Sequence, residues 1–183
     1  IYASGDFTKR DVYDLTFDLG AAGIDGPITA IRLEAIPDER LPGGGPGAAY
    51  YEGRKGDFFL SEVTAKLSGE KVAFRDASVS FGKISVGSGS AEGINILDGD
   101  GSTGWSTATR EGKRNELVLN LQEPVPAKGE LHLNLLFERH FVAALGRFRI
   151  SVTTETGKVA AGSNILEDWT GAAGREKRLA YLR

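Results

Sequence analysis

The chain has 183 residues, and its 22 basic and 25 acidic side chains leave a formal net charge of -3. A charge this balanced gives no sign of the basic footprint of a nucleic-acid binder or of the cationic patch of a protein held on an anionic membrane, and electrostatics does not choose a partner. With no cysteine there is no disulfide framework, no thiolate zinc site and no thiol nucleophile.

The length suits one domain with a tail and is enough to bury a proper core. No apolar run approaches the roughly 20 residues that span a bilayer, and the N-terminus lacks the basic-then-apolar order of a signal peptide. Methionine is absent, even at position 1, and the tail stops within REKRLAYLR. The chain is therefore expected to be a segment of a longer protein. Its 25 glycines are about twice the usual share of roughly 7%. Together with short alternating segments they favour an all-β sandwich with many turns.

Period-two alternation begins at Tyr13, Leu15, Phe17 and Leu19, set against Asp14, Thr16 and Asp18, as a half-buried antiparallel strand requires. It returns with Ile31, Leu33 and Ala35, which places Arg32 and Glu34 on a polar outer face. Residues 37–57, PDERLPGGGPGAAYYEGRKGD, carry three of the six prolines and exceed the usual connection length; long loops inside compact domains are often functional. Shorter strands are predicted over Phe59–Leu67, Val72–Phe74, Val79–Phe81 and Ile94–Leu97. Clear alternation resumes at Leu117–Leu121, Leu131–Phe137 and Phe148–Val152. Eight or nine strands with no strong amphipathic helix predict a two-sheet antiparallel sandwich. The sandwich is expected over 1–160, and 161–183 reads as a connector with helix-compatible, basic character.

The octet DGDGSTGW at 98–105 concentrates chemistry. Gly99, Gly101 and Gly104 satisfy GxGxxG, but no buried strand precedes them, no helical stripe follows, and Asp98 and Asp100 would repel a phosphate. An EF-hand fails as well, because its sixth position is Thr103 instead of glycine and its twelfth is Thr109 instead of glutamate. Two readings stay open: a Ca²⁺ loop of another kind, built from hard oxygen donors on a tight turn, or a turn capped by Asp98 and Thr103 alone. Trp105 beside the turn reads as core.

Tyr50 and Tyr51 lie mid-loop beside Glu52, Arg54 and Lys55. They form either a platform whose ring faces pack on sugar CH groups or a pair that folds the loop back onto the sandwich. Glu62 alternates onto the face of Phe58 and Leu60, where an anion needs a partner, either a cation or a salt bridge. His132 falls on a polar face, whereas His140, beside Glu138 and Arg139, sits between two strands and is placed to line a surface site. No HExxH, GxSxG or Walker loop occurs, and no marked carboxylate pair signals a glycosidase. The chain reads as a non-enzyme.

NILDGDGSTGWS at 95–106 resembles the signature of discoidin-type domains, which are galactose-binding-like jelly rolls and often carbohydrate-binding modules. ITAIRLEAIPDERLPGGGPG at 28–47, GDFFLSEV at 56–63 and LGRFRISVT at 145–153, with the opening DVYDLTFDL, resemble a sandwich domain of planctomycete multidomain proteins that carry c-type cytochrome segments. That likeness covers most of 1–155. The resemblance implies a jelly roll holding a structural Ca²⁺ through Asp98, the main chain of Asp100, Thr103 and Glu62. The glutamate strand here precedes the aspartate turn, so strand connectivity differs from the usual discoidin order, and Gly104 stands where the family often has arginine. The expectation is a non-catalytic carbohydrate-binding module of an exported, periplasmic or extracellular protein. It would stack a polysaccharide or glycan on Tyr50 and Tyr51, with hydrogen bonds from Arg54, Arg139 or His140. The alternative is a domain that binds no sugar and docks on neighbouring cytochrome or enzyme segments of the parent chain. Neither reading involves nucleic acid or membrane.

Overall fold

The structure is a computed structural model that describes residues 1–87, 89–162 and the backbone of 177–178. Two antiparallel sheets pack face to face. One has the order β1–β7–β3–β4, formed by Arg10–Asp18 (β1), Glu130–Glu138 (β7), Glu62–Leu67 (β3) and Glu70–Val72 (β4). The other runs β5–β6–β2–β8–β9, formed by Phe74–Val79 (β5), Asn115–Val125 (β6), Ile28–Ala35 (β2), Phe148–Thr153 (β8) and Lys177–Arg178 (β9). Because β1 pairs with β7 in one sheet while β2 pairs with β6 in the other, the ribbon β1–β2 lies against the ribbon β6–β7. Both wrap across the two sheets as in a jelly roll.

Alternation explains the core. Tyr13, Leu15 and Phe17 of β1 face inward opposite Leu131, Leu133, Leu135 and Phe137 of β7, and Ile31, Leu33, Leu117, Leu119, Phe148 and Ile150 close the other side. Tyr13 carries its hydroxyl inward and donates to Leu145 O at 2.8 Å, so the ring stays in the core without an orphaned donor.

Several sequence expectations shift. Val72–Phe74 is not one strand, because the chain leaves the first sheet at Val72 and enters the second at Phe74. Regular pairing begins at Glu62 in the 59–67 run and ends at Val79 in the 79–81 run. Ile94–Leu97 holds a 3-10 turn over Gly93–Ile96 that sends Ile96 into the core and leaves Ile94 exposed. The tail's helical reading lies mainly outside the described residues; Lys177–Arg178 itself is extended beside β8.

The largest correction concerns β2. Arg32 and Glu34 alternate outward as expected, yet both are fully buried. Residues 154–162 cross this outer face: Val159 N–H donates to Asn120 Oδ1, Ala161 N–H to Ser78 Oγ and Gly162 N–H to Glu116 Oε1. Glu34 is paired with Arg149, Arg114 and Arg32, and Arg32 also reaches Glu116 at 3.8 Å. Alternation distinguishes two faces of a strand, but whether the outer one is wet depends on what later crosses it.

Candidate functional site

The 98–104 turn is assembled by its own side chains. Asp98 Oδ1 accepts the Asp100 N–H at 2.8 Å, and Asp100 Oδ1 accepts both the N–H and the hydroxyl of Ser102. Gly99 sits at φ 80°, in the left-handed region. At Gly104 a Cβ would come within 2.3 Å of Leu60 O, because the chain must there draw close to Leu60 for Trp105 to exchange two backbone hydrogen bonds with it. Trp105 itself is fully buried, edge-on to Phe58 with centroids 4.9 Å apart, and its Nε1–H donates to Phe81 O at 2.8 Å. It is the core anchor that holds the turn against the sandwich.

The Thr103 hydroxyl lies 2.8 Å from Asp98 Oδ2, 3.0 Å from Asp100 O and 3.2 Å from Asn95 O. One hydroxyl has one proton to share among three converging acceptors, of which Asp100 O also takes the Thr103 N–H at 3.0 Å, so oxygens crowd together here. Glu62 joins this group of oxygens beside Asp98, although the core is not where it points. Leu60 and Val63 are both in the core, three positions apart, so the alternation slips by one at Ser61. There the Ser61 hydroxyl accepts the Glu138 N–H at 3.0 Å. The slip turns Glu62 away from the face of Phe58 and Leu60, out beneath the turn and level with Leu136. Its Oε1 is buried with no hydrogen-bond partner among the described residues, while its carboxyl stands beside that of Asp98 and near the Gly99 backbone. Burial first, and the adjoining Asp98 second, push the Glu62 carboxyl up to about 7.

All four residues implied as ion ligands therefore gather at one place, Asp100 by its main chain while its carboxylate turns to Ser102. Among the described residues no three acidic or histidine side chains converge closely enough to hold a metal by themselves. What gathers is two carboxylates, a hydroxyl and two carbonyl oxygens. An orphaned buried carboxylate oxygen within an all-oxygen donor set fits a hard cation such as Ca²⁺ and disfavours zinc or copper.

The 37–57 loop is packed rather than open. Its two arms touch backbone to backbone, so that a Cβ on Gly45 or Gly47 would lie 2.2 Å from Gly56 O or 1.9 Å from Asp57 O. From this base Tyr50 and Tyr51 protrude, 66% and 75% exposed. Lys55 Nζ stands 5.0 Å from the Tyr50 ring centre and Glu52 pairs with Lys9 at 3.3 Å. His140 is also exposed, edge-on to Phe141, against whose ring Gly53 lies. Arg54 is occupied by Glu111. Arg139 is committed inward, donating to Ser102 O and Val86 O at 3.0 Å each with its guanidinium 4.2 Å from the Phe59 ring centre.

Two features escaped sequence reasoning. Asp57 is buried at the foot of the loop, where the Ser106 hydroxyl lies 3.0 Å from both of its oxygens. Burial raises its carboxyl to about 6. Its setting between Gly56 and the aromatic pair Phe58–Phe59 was the available signal. A groove of about 300 Å³ on the outer face of the first sheet is lined by Asp14, Thr64, Lys66, His132 and Asn134, of which Asn134 pairs with Asp14 and His132 with Thr16 across the strands.

No family model, curated protein or solved structure matches the chain.

Proposed function

We propose that this domain is a non-catalytic carbohydrate-binding module with a structural Ca²⁺ in the 98–104 turn. The observation that carries the reading is the tyrosine pair: two large rings stand in solvent on a loop whose arms are locked together by close glycine contacts. A platform fixed before binding loses little conformational entropy when a ligand arrives, and tyrosine supplies an apolar face with a polar tip for sugar CH groups and hydroxyls. Lys55 and His140 stand ready as hydrogen-bond partners, whereas Arg54 and Arg139 serve the scaffold.

Asp98, Glu62, Thr103 and the carbonyls of Asp100 and Asn95 would hold the ion. It would neutralise two facing carboxylates and tie β3 to the turn, a structural service that lowers the ordering cost of binding.

The test is a glycan array of plant, algal and bacterial polysaccharides, followed by calorimetry on the best ligand. Micromolar binding that is lost in Tyr50→Ala or Tyr51→Ala supports the module. Binding to none, or binding indifferent to both substitutions, overturns it and leaves docking against neighbouring segments of the parent chain.

A further inference from the structure

We propose that Arg139 couples the cation turn to the tyrosine platform, so that a divalent cation in the turn stiffens the Tyr50–Glu52 tip; this rests on the cation reading above. Three segments meet at this side chain. Its Nη1 holds Ser102 O, and Ser102 is itself tied through N–H and hydroxyl to Asp100, the residue whose carbonyl faces Thr103. Its Nη2 holds Val86 O, and its guanidinium lies over Phe59. Phe59 packs with Ala49, Phe141 and Ala143, and with Ile84 and Val86 against them, in a small apolar cluster separate from the main core. The tyrosine tip sits on that cluster, because a Cβ on Gly53 would come within 2.6 Å of the Phe141 ring. A second tie runs through the main chain: Arg139 N–H donates to Lys9 O at 3.0 Å, and Lys9 pairs with Glu52.

A guanidinium suits this task because its planar fork reaches two carbonyls at once, which an ammonium on a flexible stem does not. Spending a partly buried cation on neutral carbonyls is costly unless the position it fixes matters, and here its buried Nε–H has no acceptor among the described residues. Arg139 is thus a positioning residue that contacts no ligand. An ion that orders the turn fixes Ser102 O, hence the guanidinium, hence the cluster beneath the tyrosines. Such coupling needs ordering alone and no change of shape.

Amide hydrogen exchange of the full chain, in EDTA and in excess Ca²⁺ alone, tests this. In the wild type Ca²⁺ slows exchange about tenfold or more at 98–105, at 81–87 and at 49–54. In Arg139→Ala the slowing persists at 98–105 with Ca²⁺ affinity about tenfold weaker, a usual loss for an outer-shell partner, and vanishes at 49–54. Arg139→Lys keeps the charge and an aliphatic stem, so it folds where the alanine variant fails to, and it behaves like alanine at 49–54. Wild-type slowing confined to 98–105, or a lysine variant that transmits fully, overturns the coupling and leaves the ion in place. No slowing anywhere, with no heat of Ca²⁺ binding, removes the cation reading and the coupling with it.

Discussion

Replacing Glu62 by glutamine should have opposite effects with and without Ca²⁺. Without the ion, Glu62 and Asp98 face each other. Two like charges about 4 Å apart cost ~4 kcal/mol at an effective dielectric constant near 20, and the partly exposed position of Glu62 screens that to about 1 kcal/mol. A domain of this size shifts its melting temperature by ~2–4 °C per kcal/mol, so Glu62→Gln in EDTA at pH 8 should melt about 3 °C higher than wild type. The pH dependence follows from the raised carboxyl, about 7 in the folded chain against 4.5 ordinarily. Below pH 4.5 both states hold the proton. Between 4.5 and 7 the unfolded chain releases it first, so wild-type stability falls across that window and levels above it, whereas Glu62→Gln loses this slope. With free Ca²⁺ at about 100 times its Kd the wild type should gain ~2.7 kcal/mol, about 5–10 °C, and the variant little. Differential scanning calorimetry in EDTA and in Ca²⁺ at pH 5 and pH 8 reads all four corners. A variant that melts lower in EDTA, or that keeps the full Ca²⁺ gain, refutes the reasoning.

Asp57→Asn should flatten a separate window, because the wild-type carboxyl stands at about 6 when folded against 3.8 ordinarily. Stability on the order of 3 kcal/mol should drain from the wild type between those values as pH rises, measured by urea midpoints from pH 3.5 to 7. Trp105→Phe should lower the stability by about 2–4 kcal/mol, read as a lower urea midpoint with an unchanged slope, since it shrinks a fully buried side chain and strips Phe81 O of its donor. Gly47→Ala should open the loop, its new methyl meeting Asp57 O, and trypsin should then cut at Arg54 and Lys55 at least tenfold faster. Gly112→Ala, with nothing within 4 Å of its Cβ, should leave cleavage unchanged.

The sandwich was legible because long strands with one buried face carry a period-two signal that little else produces. Tyr13–Leu19 and Leu131–Phe137 place their inner faces as alternation requires. The signal failed where a second layer or an irregularity intervened. Arg32 and Glu34 look solvated until a distant segment covers them, and Glu62 changes face through a one-residue slip that its own strand does not announce. The turn was legible as a motif because the side-chain bonds of Asp98 that shape it are local, within five positions. Asp57 was hidden because its hydroxyl partner Ser106 is 49 positions away, and the inward commitment of Arg139 because its acceptors lie 37 and 53 positions away.

The way β1 is seated also constrains the order of assembly. Asp14 and its neighbour across the ladder, Asn134, are 120 positions apart, so during synthesis the first strand leaves the ribosome long before its partner exists. Closing so long a loop early is entropically unfavourable, and folds dominated by distant pairings form slowly. The hairpin β3–β4 forms within its own neighbourhood, whereas β1 and β2 must wait as exposed apolar ribbons until β6 and β7 emerge. That interval, rather than the finished sandwich, is when this polypeptide is most open to aggregation.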